Sequence, residues 1–164
     1  MKSGIIGAGQ IGGTLTRRLS ELQHEVSVAN SHGPAALTDF ARETGAKAAS
    51  ARSGDVVIVT IPQGKIPELP KDMFPGIFPD GVVVDTGNYY PRQRDGRIAD
   101  IENGTTESRW VSRCLRRPVV KAFNNIDYRH LARKGRPAGT SGRIALQDCV
   151  GDPRRSGTTG SPRH

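Results

Sequence analysis

The chain has 164 residues, 24 Lys and Arg against 16 Asp and Glu, a formal net charge of +8 and a pI near 10.1. Its length is close to the usual size of a single domain, which allows one hydrophobic core and leaves no room for a large second domain. The charge is uneven: residues 1–91 carry 8 basic against 9 acidic side chains, and residues 92–164 carry 16 against 7. No aromatic-interleaved basic motif accompanies the later excess, so it reads as a solvated surface serving an anionic small ligand, and a nucleic-acid partner is disfavoured.

In chain order, the first element is the apolar strand Ser3-Gly4-Ile5-Ile6, followed at once by Gly7-Ala8-Gly9-Gln10-Ile11-Gly12. A helical pattern comes next, with Ile11, Leu15, Leu19 and Leu22 on one face. This strand, turn and helix context makes the glycine spacing a dinucleotide signal: Gly7 for the tight turn, Gly9 for close approach to a pyrophosphate, and Gly12 for close packing of helix on strand. The helix N-terminus then offers unpaired N–H groups and the positive end of its dipole to the anion. The residues expected against the cofactor are Gly7, Gly9, Gln10, Ile11 and Gly12; the plain alternative is a tight turn with no ligand.

Glu25-Val26-Ser27-Val28-Ala29-Asn30 is the second strand, and its end is where such a domain meets the adenine ribose. An acidic residue there, about 20 residues past the glycines, binds the ribose hydroxyls of NAD and repels a 2′-phosphate. This chain has Asn30, Ser31 and His32 instead, hydrogen-bonding groups suited to a phosphate, so the cofactor read here is NADP(H). Ser31 can also be the cap of a helix expected over residues 35–43, with His32 solvated.

Further strands are expected weakly at Ala46-Lys47-Ala48, strongly over residues 55–61, then over residues 82–85 and 118–123, with another over residues 143–146; residues 106–115 read as a helix with Trp110, Val111, Cys114 and Leu115 on one side. Several strands are continuously apolar, as strands buried on both faces are, so the fold class is α/β with a doubly wound, mostly parallel sheet. Ligands bind outside the carboxyl ends of such strands. Thr60, Ile61 and Pro62 at the end of the fourth strand and Asn88 beyond the fifth are therefore expected beside the cofactor, though Gly, Pro and Asn also make ordinary turns.

Cys114 and Cys149 show no metal spacing and His24, His32, His130 and His164 are scattered, so no metal is expected. No run approaches the roughly 18 apolar residues of a membrane helix and Met1-Lys2 leads straight into a strand, which reads as a cytoplasmic protein with free thiols. Residues 1–146 form the expected domain. Residues 147–164 are rich in Gly, Pro, Ser, Thr and Arg, with almost nothing apolar to offset ordering entropy, and read as a disordered tail.

Four segments in order, Gly4-Ile5-Ile6-Gly7-Ala8-Gly9-Gln10-Ile11-Gly12, Val57-Ile58-Val59-Thr60-Ile61-Pro62, Val83-Val84-Asp85-Thr86-Gly87-Asn88 and Val119-Val120-Lys121-Ala122-Phe123-Asn124, resemble the NADPH-dependent reductases of the deazaflavin coenzyme F-420. The resemblance spans about residues 2–146 and implies a Rossmann NAD(P)-binding fold and hydride transfer between NADPH and a deazaflavin or similar small acceptor. Two bound rings need mainly alignment, so no Ser-His-Asp constellation is required. Lys121 and Asn124 are the candidate catalytic residues, by a charge near the acceptor ring or a bond to the nicotinamide amide; Lys121 can equally be a solvent-facing residue of an edge strand. Family members continue past the last strand into structure that encloses the second substrate, where this chain has an altered or truncated C-terminus. The alternatives are thus a catalytically weak NADP(H)-binding module whose site a homodimer would complete, or an imine reductase of the pyrroline carboxylate reductase type.

Overall fold

Apolar residues on consecutive positions of one strand face opposite sides of a sheet, and the first strand shows what that demands. In β1 (Lys2–Ile6) residues 3–6 are all buried, with Ile5 packed into one core and Ile6 into another. The computed structural model of the chain describes residues 1–49, 54–70, 74, 81–133, 135 and 141. Within them the strands β1, β2 (Glu25–Ala29), β3 (Lys47–Ala48), β4 (Val56–Val59), β5 (Val82–Asp85) and β6 (Val119–Lys121) pair in parallel in the order β3-β2-β1-β4-β5-β6. This is the doubly wound α/β arrangement read from the sequence. Strand order reverses between β1 and β4, which opens a crevice at their carboxyl ends.

The helices are α1 (Gln10–Glu21), α2 (Thr38–Thr44), α3 (Ala99–Glu102), α4 (Glu107–Leu115) and α5 (Tyr128–Arg133). One core joins Ile5, Val26, Val28 and Ile58 of the sheet to Leu15 of α1 and to Leu37. The other joins Ile6, Val57, Val59 and Val83 to Trp110, Val111 and Leu115 of α4. Those three side chains of α4 are buried and Cys114 packs beside them, the face expected from the sequence.

Three expectations change. Leu22 stands at the end of α1 and is 68% exposed, because α1 has stopped at Glu21 before the apolar stripe reaches it. The helix expected over residues 35–43 is split into a 3-10 turn, Pro34–Leu37, and α2, the break falling at Leu37, whose φ of −109° and ψ of 4° lie outside the α-helical region. Ser31 caps neither piece: Gly33 and Leu37 hold the cap positions and neither makes a side-chain cap bond. The strand expected over residues 143–146, the domain boundary at residue 146 and the tail over residues 147–164 lie outside the described residues. Among the described residues no helix is long and apolar enough to cross a membrane, and no cluster of His, Cys, Asp and Glu could hold a metal.

Candidate cofactor site

The three glycines of the turn have three separate physical requirements. Gly7 sits at φ +103°, a left-handed conformation that side-chain-bearing residues rarely adopt, and its N–H donates to the Ala29 carbonyl at 2.8 Å, tying the turn to the end of β2. At Gly12 any Cβ would run into the carbonyl of Gly7 and the hydroxyl of Thr60, so helix α1 lies against the turn only because this position is bare. Gly9 has ordinary backbone angles, φ −73° and ψ −164°, and a Cβ there would meet nothing within 4 Å. Neither backbone strain nor packing asks for glycine at residue 9; the open space beside it is where a ligand can meet the main chain.

Helix α1 starts from that same residue. Its N-terminus has no side-chain cap and no acidic residue in the first turn, so the first-turn N–H groups, which no carbonyl of the helix can reach, and the positive end of the dipole are directed at the turn. The Gly13 N–H to Gly9 carbonyl bond at 2.7 Å closes the first turn.

A cavity of about 670 Å³ opens in front of the turn, within the range usual for cofactor sites. Its floor is Gly7, Ala8 and Gly9; one end is Asn30, Ser31 and His32; the far wall is Ile61, Pro62 and residues 65 and 68–70. Of the residues singled out in the sequence, Gly7, Gly9, Asn30, Ser31, His32, Ile61 and Pro62 line it. Gly12 and Thr60 lie against Gly7 instead, and Gln10, Ile11 and Asn88 are not among its lining. At the β2 end the Asn30 amide oxygen accepts the His32 backbone N–H at 3.0 Å, which turns the chain sharply and leaves the amide nitrogen as the donor end of that side chain. Ser31 Oγ and His32 Nδ1 lie 3.5 Å apart. No carboxylate stands in this turn.

The part of the far wall beyond Pro62 is not expected from the sequence. Residues 63–68 form a 3-10 segment directly after Pro62, and the cavity is lined there by Lys65 and Glu68, whose Nζ and Oε1 are 2.7 Å apart. A lysine three residues beyond a strand-ending proline was the available signal. Asp95 anchors this wall: its enclosed carboxylate accepts the N–H groups of Gly64 at 3.2 Å and Tyr90 at 2.7 Å and pairs with Arg94. Burial alone would raise the Asp95 pKa, but Arg94 and the two N–H donors outweigh it and hold the carboxyl below its usual range.

Lys121 and Asn124 belong to a second cluster. Lys121 is neither solvent-facing nor unengaged: its Nζ lies 3.0 Å from Asp85 Oδ2 and 2.9 Å from Glu107 Oε2, with 21% of the side chain exposed. Asp85 is 1% exposed and also accepts the Gly87 N–H. Gln63, fully buried, donates to Glu107. Asn88 donates to the Asn124 carbonyl at 2.7 Å, clasping the loops after β5 and β6 together.

Comparison with known proteins bears on this geometry. The family model described as coenzyme F420-dependent NADP oxidoreductase matches residues 2–89, from β1 to just past β5. Among solved structures, a hypothetical protein from Sinorhizobium meliloti is 31% identical, with a TM-score of 0.67 over 82% of this chain and 66% of that one. A protein of Arthrobacter sp. FB24 with the provisional name F420-dependent NADP reductase is 20% identical, with a TM-score of 0.64 over 85% of this chain and 69% of that one. The 3-hydroxyisobutyrate dehydrogenase of Mycobacterium tuberculosis, 17% identical with a TM-score of 0.54 over 74% of this chain and 39% of that one, shares the fold. The chain thus spans about two thirds of the length of the first two. No curated protein matches it in sequence.

Proposed function

The chain belongs to the coenzyme F420-dependent NADP oxidoreductase family, and from that premise we propose that it binds NADPH across the carboxyl ends of β1 and β2 and serves hydride transfer to a deazaflavin or similar small acceptor. One observation carries the reading: Gly9 needs to be glycine for neither conformation nor packing, and it faces a cavity at the N-terminus of a helix. A pyrophosphate fits that place, held by first-turn N–H groups and the helix dipole. The adenine ribose then falls at Asn30, Ser31 and His32, where amide, hydroxyl and imidazole donors suit a 2′-phosphate and the turn itself carries no carboxylate to repel it.

When bound, NADPH would supply a hydride, which the acceptor takes up together with one proton from solvent. What this chain does is bind, orient and keep water out. Gly7, Gly9, Gln10, Ile11 and Gly12 form or support the phosphate cradle, while Thr60, Ile61 and Pro62 give the wall that the cofactor lies along. Asn88 and Asn124, clasped to each other, shape the approach to the nicotinamide end.

A specific observation favours a second reading. Lys121 is bonded to Asp85 and Glu107, so the cation expected near the acceptor ring is engaged in holding β6 to β5 and α4. This suits a module that binds NADP(H) and turns it over poorly unless a second copy completes the acceptor site, as a homodimer. The test is NADPH oxidation at 340 nm with a deazaflavin, a flavin and a cyclic imine offered in parallel: fast oxidation with the deazaflavin supports the first reading, binding without oxidation the second, and oxidation with the imine alone would replace both acceptors named here.

A further inference from the structure

Among the described residues that line the cavity, Lys65 is the one side chain with a permanent positive charge. It shares the cavity with Asn30, Ser31 and His32, and it reaches that space from a wall that sequence alone did not connect to them. We propose that Lys65 selects the 2′-phosphate of NADPH, with Glu68 as the counter-ion it gives up to do so; this rests on the NADP reading above and names the residue that sets its specificity.

The argument is one of relative strength. The Lys65 and Glu68 side chains are 62% and 64% exposed, and an ion pair that open to water contributes only about 0–1 kcal/mol. A phosphate monoester carries nearly two charges and three acceptor oxygens, so a charge-assisted bond to it is the stronger partner. Exchange of Glu68 for phosphate is therefore favourable. The turn at the end of β2 holds amide, hydroxyl and imidazole groups and neither lysine nor arginine, so it shapes a phosphate site by hydrogen bonds. Lys65 makes up that deficit from across the cavity. Glu68 has the opposite effect, since its carboxylate opposes any second anion brought beside Lys65.

The experiment is calorimetric titration of the full chain, Lys65→Met and Glu68→Gln with NADPH, NADH and adenosine 2′,5′-bisphosphate, with thermal melting as a fold control. Lys65→Met should weaken NADPH and the bisphosphate about tenfold, the loss expected for one charge-assisted bond, and leave NADH unchanged. Glu68→Gln should tighten NADPH and the bisphosphate and leave NADH unchanged. Equal weakening of NADPH and NADH by Lys65→Met would place the lysine on the pyrophosphate and overturn the proposal, as would an unaltered preference for NADPH. If the unmodified chain binds NADPH and NADH equally, the NADP reading itself falls, and this inference with it. A preference that survives Lys65→Met removes this inference alone.

Discussion

The hydroxyl of Thr60 donates to the carbonyl of Gly7 across 2.7 Å, joining the end of β4 to the glycine turn at the end of β1. The Ile6 carbonyl, 3.0 Å away, competes for the same proton, and the Thr60 N–H already holds Ile6 at 2.8 Å. The switch point of the sheet is thus closed by one side chain. Thr60→Val keeps the shape and removes the donor, which should cost about 1–2 kcal/mol in urea unfolding and weaken NADPH binding through a looser turn. A variant as stable as the parent would show that the bond does not hold the turn.

Gly12→Ala should damage the fold before it damages binding. Its Cβ would overlap the Gly7 carbonyl and the Thr60 hydroxyl, and both are fixed, one as main chain and the other by the bonds just described. Overpacking of this kind costs about 1–3 kcal/mol, measurable as a lower unfolding midpoint without any ligand. An alanine variant of unchanged stability would mean that α1 can slide away from β1.

These glycines were legible in the sequence because their requirements are local: the strand before them, the helix after them and their spacing all lie within residues 3–22. The same holds for the β2 end, where the lack of a carboxylate can be read directly. Lys65 and Glu68 were not legible as cavity residues, since they come to share a cavity with Asn30 and His32 only when β4 pairs beside β1. Lys121 was read as either ring-facing or solvent-facing, and it is engaged otherwise because its partners, Asp85 and Glu107, lie 36 and 14 residues away. The helix expected over residues 35–43 breaks at Leu37, whose φ of −109° and ψ of 4° leave the helical region, and no residue type at that position signals it.

Lys121→Met should act on stability. Removing the ammonium leaves Asp85, 1% exposed, with the Gly87 N–H on Oδ1 and no cation on Oδ2. Breaking a buried pair costs about 3 kcal/mol or more when both groups are fully enclosed; with Lys121 21% and Glu107 31% exposed, about 2 kcal/mol is expected. Adding Asp85→Asn should recover part of it, while NADPH affinity stays unchanged. Loss of hydride transfer at full stability would instead return Lys121 to the acceptor ring.

Acid should destabilise the chain from about pH 4 downward. Asp95 is held below its usual pKa: burial opposes this, and Arg94 with the Tyr90 and Gly64 N–H groups prevails. Asp127 is lowered to about 2 by the Arg129 side chain, then by the Arg129 N–H. Both carboxyls are stronger acids in the folded chain than in the unfolded one. Their contribution is therefore complete above the unfolded value near pH ~3.9 and is lost as pH falls through the folded values. Asp95→Asn should be less stable at neutral pH and show a shallower acid slope. An unfolding midpoint that does not change between pH 5 and pH 2, both on the order of the range where carboxyls titrate, would contradict this.

The most direct test of the glycine turn as the nucleotide site is calorimetric titration of NADPH into the full chain and into Gly9→Val. Residue 9 has backbone angles open to valine and free space for its side chain, so the variant should keep the parent's circular dichroism spectrum and melting temperature. NADPH binding should be lost, because the branched side chain then fills the place where the pyrophosphate meets the main chain. A Gly9→Val protein that binds NADPH as tightly as the parent would show that the phosphates lie elsewhere.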